Sequence, residues 1–420
     1  MSEAMRTEES RWAFARRLWS TLTLAGFGLL LVGCAADAEL DTFQDQGETA
    51  RQINDLAVPV FIVAGVVLVL VCGALVWLAV KNRVPANEDY QGEFPKQVSH
   101  NNTLEIGWTL GPFVIMVIVA VASLVTHLAI NSTEANAMEV QVDGQAQTWE
   151  PRVVVVGQQW WWEYRYYLSQ DITTDDLGDP WDLPPADIVT SGQMVIPAGE
   201  EIELIVTSRD VIHSHWIPAL NGKRDAVPGL YTPWKLSADE PGVYFGQCTE
   251  FCGLSHSRMR MQAVAVTPAD FQTWIDSQMK PANLPTNEDS AQGRGAEVFS
   301  TYCASCHLVR GLNDADYNGA ETYAGSAPDL THFASRTTFA GGIFNLYNSD
   351  YSLNDDQLAA WIRNPNEVKE NYANDLADGE LPRGMPDMGL SERQISDVIA
   401  FLATLGQEPT RAQILATEVN

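Results

Sequence analysis

Two long uncharged segments dominate the hydropathy pattern in the first third of the chain. Residues 57–80 and 106–130 contain no Asp, Glu, Lys or Arg, and each is long enough to cross a bilayer as a helix. The loop between them carries three basic residues, Lys81, Arg83 and Lys96. Loops of this kind stay on the cytoplasmic side of a bacterial membrane. The pattern therefore predicts a transmembrane hairpin over residues 34–131, with everything from residue 132 onward on the outer face.

A shorter apolar run lies near the start of the chain. Several arginines precede it, and it extends over residues 18–33 before it meets Cys34. The run is shorter than the roughly 20 residues that span a bilayer, and a small residue before a cysteine resembles a bacterial lipobox. We therefore interpret residues 1–33 as a signal peptide with a lipobox, and we expect a lipid on Cys34. The alternative is a short first membrane helix with an incidental cysteine.

Beyond residue 136 the pattern changes to short β-type runs separated by Gly and Pro. These runs occupy residues 138–142, 152–156, 193–196, 201–207, 243–247 and 261–266. Many short strands are typical of a β-sandwich or barrel, which we assign to residues 132–280. Thr267, Pro268 and Asp270 then predict the start of a helix that closes the domain, with Thr267 as its N-cap.

The composition excludes one class of partner. The chain has 25 Lys plus Arg against 54 Asp plus Glu, a net charge of −29. Neutralising phosphates requires clusters of basic residues, so we expect no nucleic-acid partner. A hydrophobic content of 46% with 13 Trp is enough to bury sizeable cores, which indicates folded domains with acidic surfaces rather than disorder.

A cluster of metal-ligating residue types follows the run at 243–247. Two cysteines four residues apart precede a histidine and a methionine, and thiolate, imidazole and thioether groups together suit copper. Two cysteines can bridge two copper ions, with one histidine completing each site. The predicted ligands are His213, Cys248, Cys252, His256, Met259 and the backbone carbonyl of Glu250. The alternatives are an exported disulfide, which does not call for two histidines, and a zinc site, which does not call for Met259.

A second cysteine motif lies in the C-terminal part of the chain. Residues 281–292, rich in Pro, Asn, Asp and Ser, predict a linker. Cys303, Cys306 and His307 then form Cys-x2-Cys-His, a c-type haem attachment signature. Two thiols about one helical turn apart can add to the haem vinyl groups and leave the histidine to bind iron. A redox-active Cys-x2-Cys pair is the alternative, but it does not require His307.

The sequence that follows resembles a class I cytochrome c, a small all-α domain, over residues 293–408, with a tail at 409–420. A thioether should then bind the iron opposite His307, and the segment 384–389 supplies Met385 and Met388. The Met-Pro pattern of the family favours Met385. A methionine ligand raises the haem potential, which suits a donor to copper.

Residues 50–280 resemble subunit II of haem-copper cytochrome c oxidases. The motifs that carry the resemblance are residues 102–109, 159–164, 210–216 and the metal loop 248–259. The resemblance implies a cupredoxin-like domain with a binuclear CuA centre, and it assigns copper to the six ligands named above. It prefers His213 to His215, the rival ligand on the same side of an extended segment, and we expect His215 to pack beside the site.

The same resemblance implies roles for three further residues. Trp160 would be an exposed acceptor of electrons, although the aromatic run 160–162 could also simply pack on a sandwich. Glu105 resembles the carboxylate at the mouth of a proton-uptake path, although an acid at a helix N-terminus is also favourable electrostatically. The side chain of Glu250 would help to bind magnesium at the interface with subunit I.

These features predict subunit II of an aerobic respiratory cytochrome c oxidase in a bacterial plasma membrane, fused to its own cytochrome c domain. Electrons would pass from an external donor to covalent haem c, then to CuA, then to the haem and CuB centre of subunit I. Oxygen would be reduced to water in subunit I, with proton translocation. This chain cannot hold that haem and CuB centre, because His127 is the only histidine in either of its spans. The predicted partners are subunits I and III, membrane lipid, and cytochrome c or a quinol:cytochrome c reductase as donor.

Two other classes of protein share parts of this pattern. A nitrous-oxide-reductase-like protein also uses a binuclear copper loop, but it needs a histidine-rich catalytic domain that 7 histidines cannot furnish. A non-redox structural subunit of a quinol oxidase is the second alternative, and the complete ligand set speaks against it.

Overall fold

A computed structural model describes residues 38–82, 99–132, 135–313, 327–373, 383–410 and 413–414. The predicted signal peptide and the lipidation site at Cys34 lie outside these residues, as do Arg83 and Lys96 of the predicted cytoplasmic loop. The described residues from Thr42 onward belong to one structural unit, and all the elements below are part of it.

Two long helices form the hairpin that the hydropathy pattern predicts. Helix α1 spans Glu48–Lys81 and α2 spans Asn102–Asn131, and both are long and apolar enough to cross a membrane. At the start of α2 the Asn101 side chain accepts a hydrogen bond from the Leu104 amide at 3.2 Å, while Glu105 accepts one from the Asn101 amide at 2.9 Å. Glu105 therefore caps this helix.

The residues after α2 form a domain of short strands, called here the β domain. Its strands are β1 Met138–Val142, β2 Gln145–Trp149, β3 Arg152–Gln158, β4 Trp161–Tyr166, β5 Ile188–Ser191, β6 Gln193–Pro197, β7 Glu201–Ser208, β8 His213–His215, β9 Arg224–Ala226, β10 Thr232–Ser237, β11 Gly242–Gln247 and β12 Arg260–Val266. Helix α3, Pro268–Gln278, closes the domain. The predicted N-cap is confirmed, because the Thr267 hydroxyl accepts a hydrogen bond from the Asp270 amide at 3.2 Å.

Two larger sheets form most of the β domain, beside the two-stranded pairs β1–β2 and β8–β9. The larger has the order β10-β7-β3-β4-β5 and the smaller β11-β12-β6, with β3–β7 and β12–β6 parallel. In β3, Val153 and Val155 face the core shared by both sheets, whereas Val154 and Val156 pack on the opposite side of their sheet. A strand covered on both faces has no polar alternation, which explains the unbroken run of valines in β3.

Helix α1 begins well before the uncharged segment at 57–80, because its first turns pack against the β domain. Ala50 is buried, and its amide donates to the Leu220 carbonyl at 3.2 Å. Arg51 pairs with Asp239 at 3.1 Å. The β domain is thus bonded directly to the polar end of a membrane helix.

In its described residues, the C-terminal domain has helices and one short pair of strands. It contains α4 Ala291–Tyr302, β13 Thr338–Phe339, β14 Phe344–Asn345, α5 Asp355–Arg363, α6 Pro365–Val368 and α7 Glu392–Leu402. The antiparallel pairing of β13 with β14 is a small addition to the expected all-α domain.

Helices α4 and α7 pack across each other. The ring centroids of Phe299 and Phe401 lie 5.5 Å apart, and a Cβ on Gly295 would overlap the carbonyl oxygen of Asp397. The crossing is therefore close enough to require glycine on α4. It fixes the end of α4, which leads directly into the predicted haem attachment motif.

A buried ionic cluster stabilises the larger sheet. Glu163 of β4 accepts hydrogen bonds from Arg209 at 3.0 and 3.1 Å and from Arg165 at 2.9 Å. Burial opposes ionisation of Glu163, but the two guanidinium groups outweigh it and lower the pKa of the carboxyl group. Its charge therefore stabilises the fold above the ordinary pKa of Glu, about 4.3. This stabilisation is lost as the pH falls through the lowered pKa.

Replacing Glu163 with Gln should lower the free energy of unfolding by about 3–5 kcal/mol near neutral pH, because two buried guanidinium groups lose their counterion. The difference in the free energy of unfolding between variant and wild type should narrow as the pH falls below about 4.3 and the wild-type carboxylate becomes protonated. Thermal unfolding of the detergent-solubilised chain, followed by near-UV circular dichroism across this pH range, measures both effects. The control Glu240→Gln, at an exposed carboxylate, should stay within about 0.5 kcal/mol. An equal loss in that control would contradict the role of the cluster.

Candidate metal centre

The predicted copper ligands converge on the loop between β11 and β12. The Cys248 amide donates to the Met259 carbonyl at 2.9 Å and closes the base of the loop. The Thr249 amide donates to the Ser214 carbonyl at 3.2 Å and joins the loop to β8, which carries His213. Tertiary hydrogen bonds therefore hold the ligand-bearing segments together.

Cys248 lies at the centre of one half of the cluster. Its Sγ atom is 3.8 Å from Cys252 Sγ, 4.0 Å from Nδ1 of His213 and 3.3 Å from the carbonyl oxygen of Glu250. The metal-binding atoms of His213, Cys248 and Cys252 all lie within 4.8 Å of one another, and all three residues are buried. These atoms can therefore surround a common metal ion.

Cys252 lies at the centre of the other half. Its Sγ atom is 3.5 Å from Nδ1 of His256 and 3.9 Å from Sδ of Met259. Each sulfur atom thus has a different histidine beside it, and the two sulfur atoms face each other across one shared space. Such an arrangement is what two metal ions bridged by two thiolates require.

Asp210 orients the imidazole of His213. Nε2 of His213 donates to Oδ1 of Asp210 at 2.8 Å, which leaves Nδ1 facing Cys248. Burial disfavours the charged forms of both groups, but their mutual hydrogen bond and the other hydrogen bonds and charges around them together outweigh it, raising the pKa of His213 and lowering that of Asp210. Gly157 lies beneath the ring, where a Cβ would come within 2.8 Å of the imidazole. A carboxylate that fixes the orientation of a ligating histidine commonly supports metal sites.

The chemistry of the donor set fits copper. Cys248 and Cys252 are free thiols, and their sulfur atoms are much farther apart than the roughly 2.05 Å of a disulfide bond. The hydrogen bond between the two thiols lowers the pKa of Cys248 well below its ordinary value and raises that of Cys252, so Cys248 ionises first to the thiolate that binds metals. A thioether next to a thiolate pair suits copper rather than zinc. The residues present therefore fit a binuclear copper centre.

His215 is fully buried beside the cluster. Its Nε2 lies 3.3 Å from the Tyr164 hydroxyl, and its ring packs edge-on against Trp162 with centroids 5.2 Å apart. Burial lowers the pKa of His215 to about 3, so the ring is neutral. The choice of His213 rather than His215 as copper ligand stays a prediction.

The side chain of Glu250, the predicted magnesium ligand, lies next to a lysine. Nζ of Lys223 is 3.8 Å from Glu250 and 2.9 Å from Asp225. The structure thus adds Asp225 as a second carboxylate at this position. The magnesium role of Glu250 stays a prediction.

The C-terminal domain presents the haem attachment residues just after α4. The His307 amide donates to the Cys303 carbonyl at 2.9 Å, so the motif is wound as a helical turn. Nδ1 of His307 lies 2.7 Å from the carbonyl of Pro328. Because a carbonyl only accepts, Nδ1 carries the proton and Nε2 keeps the lone pair. Burial lowers the pKa of His307, which favours the neutral imidazole that binds iron.

Cys303, Cys306 and His307 line a cavity of about 310 Å³. Met385 and Met388 both line it too, so the lining of the cavity does not show which of the two would bind iron. The combination of two thiols, one imidazole and a thioether around an apolar cavity fits a haem.

Trp160 is not exposed, which corrects one expectation from the sequence. It is only 3% exposed, its Nε1 donates to the Cys252 carbonyl at 3.0 Å, and its ring lies 5.3 Å from Tyr372 of the C-terminal domain. It also lines the haem cavity. A protein arriving from outside cannot touch this side chain, because the C-terminal domain covers it.

Three residues that support or join the two sites, Asp210, Lys369 and Arg383, have no role predicted from the sequence. Arg383 pairs with Asp210 at 3.6 Å, and Nζ of Lys369 donates to the Trp160 carbonyl at 2.7 Å. Asp210 could have been found, since it lies three residues before His213 in the chain. Lys369 and Trp160 are 209 positions apart, and only tertiary packing brings them together.

Three protein families match consecutive parts of the chain. Residues 37–126 match the cytochrome c oxidase subunit II transmembrane domain, and residues 152–266 match the periplasmic domain of the same subunit. Residues 293–406 match the cytochrome c family.

Curated relatives are similar over most of the chain. Cytochrome c oxidase subunit 2 of Alkalihalophilus pseudofirmus is 32% identical over 397 residues, which is 93% of this chain and 98% of the relative. The subunit 2 of Bacillus subtilis is 29% identical over 357 residues, 83% of this chain and 89% of the relative. That of Bacillus sp. PS3 is 30% identical over 285 residues, 66% of this chain and 70% of the relative. The first similarity extends across the hairpin and both outer domains.

Proposed function

Because this chain belongs to the cytochrome c oxidase subunit II family, we propose that it takes electrons from an external donor and delivers them to subunit I. It is the subunit II of a haem-copper oxidase, with a cytochrome c domain fused after the periplasmic domain. A subunit II associates with subunit I of such a complex. The observation that carries the proposal is the position of Trp160, which lines the haem cavity and hydrogen-bonds the backbone of Cys252.

The β domain would supply the copper site. When bound, the copper pair supplies a one-electron carrier. Cys248 and Cys252 would hold the two ions together with His213 and His256, and Met259 and the Glu250 carbonyl would be weaker ligands. The closed base of the loop and the support from Asp210 hold these donors in place, so their geometry changes little with the charge they carry.

The C-terminal domain would hold a covalent haem c. Cys303 and Cys306 would form the thioether bonds, and His307 would bind iron through Nε2. We propose Met385 as the opposite ligand. When bound, the haem supplies the first electron carrier of the chain, and a methionine ligand keeps its potential high.

Electrons would then travel from the donor to haem c, to CuA, and on to the haem and CuB centre of subunit I for reduction of oxygen to water. Trp160 supports this order, because it is buried between the haem cavity and the copper loop. The donor would be a cytochrome c or a quinol:cytochrome c reductase that docks on the C-terminal domain. The net charge of −29 favours a donor with a basic surface.

The remaining assignments concern the membrane and the complex. We propose a bacterial plasma membrane, with both outer domains on the extracytoplasmic face, a lipid on Cys34, and subunit III as a further partner. Proton translocation would accompany oxygen reduction, with Glu105 near the mouth of an uptake path in addition to its capping role. Glu250 would bind magnesium at the interface with subunit I.

Metal and haem content test the proposed function. The purified complex should contain two coppers and one covalent haem for each copy of this chain, and the haem should stay with the polypeptide under denaturing electrophoresis. Elemental analysis and the haem stain on the separated chain measure these quantities. A loaded complex in which this chain carries no copper would support the structural subunit of a quinol oxidase instead.

A further inference from the structure

Lys369 is a buried lysine at the boundary between the two outer domains. It follows α6, and the whole residue is 5% exposed. Its Nζ donates to the Trp160 carbonyl and to the Ala340 carbonyl, both at 2.7 Å. One acceptor belongs to the β domain and the other to the C-terminal domain, so this side chain joins the two.

The backbone around Lys369 leaves room for its ammonium group. Gly341 has a φ of +76°, and a Cβ there would overlap both Nζ of Lys369 and the Trp160 carbonyl oxygen. The Arg260 amide donates to the Gly341 carbonyl at 2.9 Å. A turn of the C-terminal domain thus lies directly on β12, and its glycine keeps the lysine site open.

Packing alone does not account for a lysine at this position. Among the described residues, the ionisable groups that affect the pKa of Lys369 are Cys252 and the Arg258 guanidinium, and no carboxylate is among them. Burial lowers the pKa of Lys369 to about 7. A buried ammonium group without a carboxylate partner destabilises the fold, and an unbranched apolar side chain would fill the same space without that cost.

Lys369 lies close to both candidate cofactor sites. It lines the haem cavity together with Cys306 and Met385, and it is near enough to Cys252 for a charge on that sulfur to affect its pKa. A cation buried near a redox centre favours the reduced form, because reduction adds negative charge. The interaction is strong where water is excluded.

We propose that Lys369 is a positioning residue that holds Trp160 against the haem cavity, and that its positive charge favours the reduced forms of the haem and the copper pair. This inference rests on the proposed function, since it requires both cofactors. Lys369 thereby links the docking of the C-terminal domain to the redox properties of the sites on either side of it.

The test is a reductive titration of the fully loaded complex at about pH 6, below the pKa of Lys369. Lys369→Met removes the charge and both hydrogen bonds while keeping a similar volume. The equilibrium constant for reduction should fall about tenfold at the haem, at the copper pair or at both, which is about 59 mV for a one-electron couple. Lys369→Gln also removes the charge but keeps a donor, so it should give the same fall and serves if the Met variant does not fold.

Arg363→Gln is the matched control. Arg363 is half exposed and pairs with Glu392 at 2.7 Å, so this variant also removes one positive charge from the C-terminal domain, and the potentials should not change. Reduction constants within about threefold of wild type at both centres in the Lys369 variants would overturn the proposal, even if stability fell. Absence of copper or haem from the wild-type chain would instead contradict the proposed function.

Discussion

Replacing Cys252 with Ser should abolish copper binding and slow oxygen consumption driven by reduced cytochrome c by more than about 100-fold. A hard serine oxygen cannot replace a bridging thiolate for copper, and even loss of a supporting residue outside the ligand set costs about 10–100-fold in metal affinity. Cys252 Sγ is also the atom on which His256 and Met259 converge, at 3.5 and 3.9 Å. Elemental analysis and an oxygen electrode measure the two effects.

The matched control for this variant is Ser257→Ala. Ser257 is exposed on the same loop, and in the hydrogen bond from Gln247 it contributes only its backbone carbonyl. The control should keep its copper and its oxygen consumption. Haem content should be unchanged in both variants, because the haem cavity lies mainly in the other domain, and this separates loss of copper from misfolding. A Cys252→Ser chain that kept its full copper would disprove the assigned ligand set.

Replacing Met385 with Leu should lower the haem potential by an amount on the order of 100 mV, within the roughly 0.8 V that axial ligands span. Leucine keeps the volume and apolar character of methionine but cannot bind iron, so one axial position would be taken by water or a weaker ligand. Redox titration of the haem, followed in the visible absorption bands, measures the shift. The absorption of the oxidised haem should also lose its sulfur-to-iron band.

Met388→Leu makes the same chemical change three positions away, at a residue that also lines the cavity. It should leave the potential nearly unchanged. The reverse pattern, with a large fall only in Met388→Leu, would make Met388 the ligand and refute the choice of Met385. The Met385 carbonyl accepts a hydrogen bond from Asn371 at 3.3 Å. Neither substitution removes this backbone contact, so the two variants test the side chains alone.

The sequence predicts the larger elements of the fold because each shows its pattern without help from distant residues. The uncharged runs at 57–80 and 106–130 lie within α1 and α2, and the helix cap at Thr267 is where expected. Shorter strands give no such pattern. Strands β8 and β9 have three residues each and pair only with one another, which is too short for an alternation to be read.

Strand β10 was missed for a different reason. It contains Pro233 and a buried Lys235, and proline argues against a strand in a central position of a sheet. The structure puts β10 at the edge of the larger sheet, where a missing amide is tolerated. Lys235 pairs with Glu201 of the neighbouring β7 at 3.0 Å. A local pattern cannot show which strand forms an edge.

The candidate sites also have features that a local pattern predicts and features that depend on distant residues. Copper and haem chemistry require particular residue types at short spacing, so the loop at 248–259 and the motif at 303–307 are readable from the chain alone. The position of one domain on another cannot be predicted from the sequence in this way. The exposure that the family resemblance implied for Trp160 was wrong, because the resemblance does not show where the attached domain docks. The contacts of Lys369 and Arg383 likewise depend on how the C-terminal domain docks.

The burial of Trp160 beneath the C-terminal domain has a kinetic consequence. If both proposed carriers are bound by this one polypeptide, their encounter would require no diffusion, and the attached domain would act as a donor at an effective concentration of roughly millimolar or above. Transfer between them would then be first order and independent of how much soluble cytochrome is present. Added salt screens charges beyond about 10 Å, so it slows the arrival of a mobile donor at the outer surface while the internal step keeps its rate.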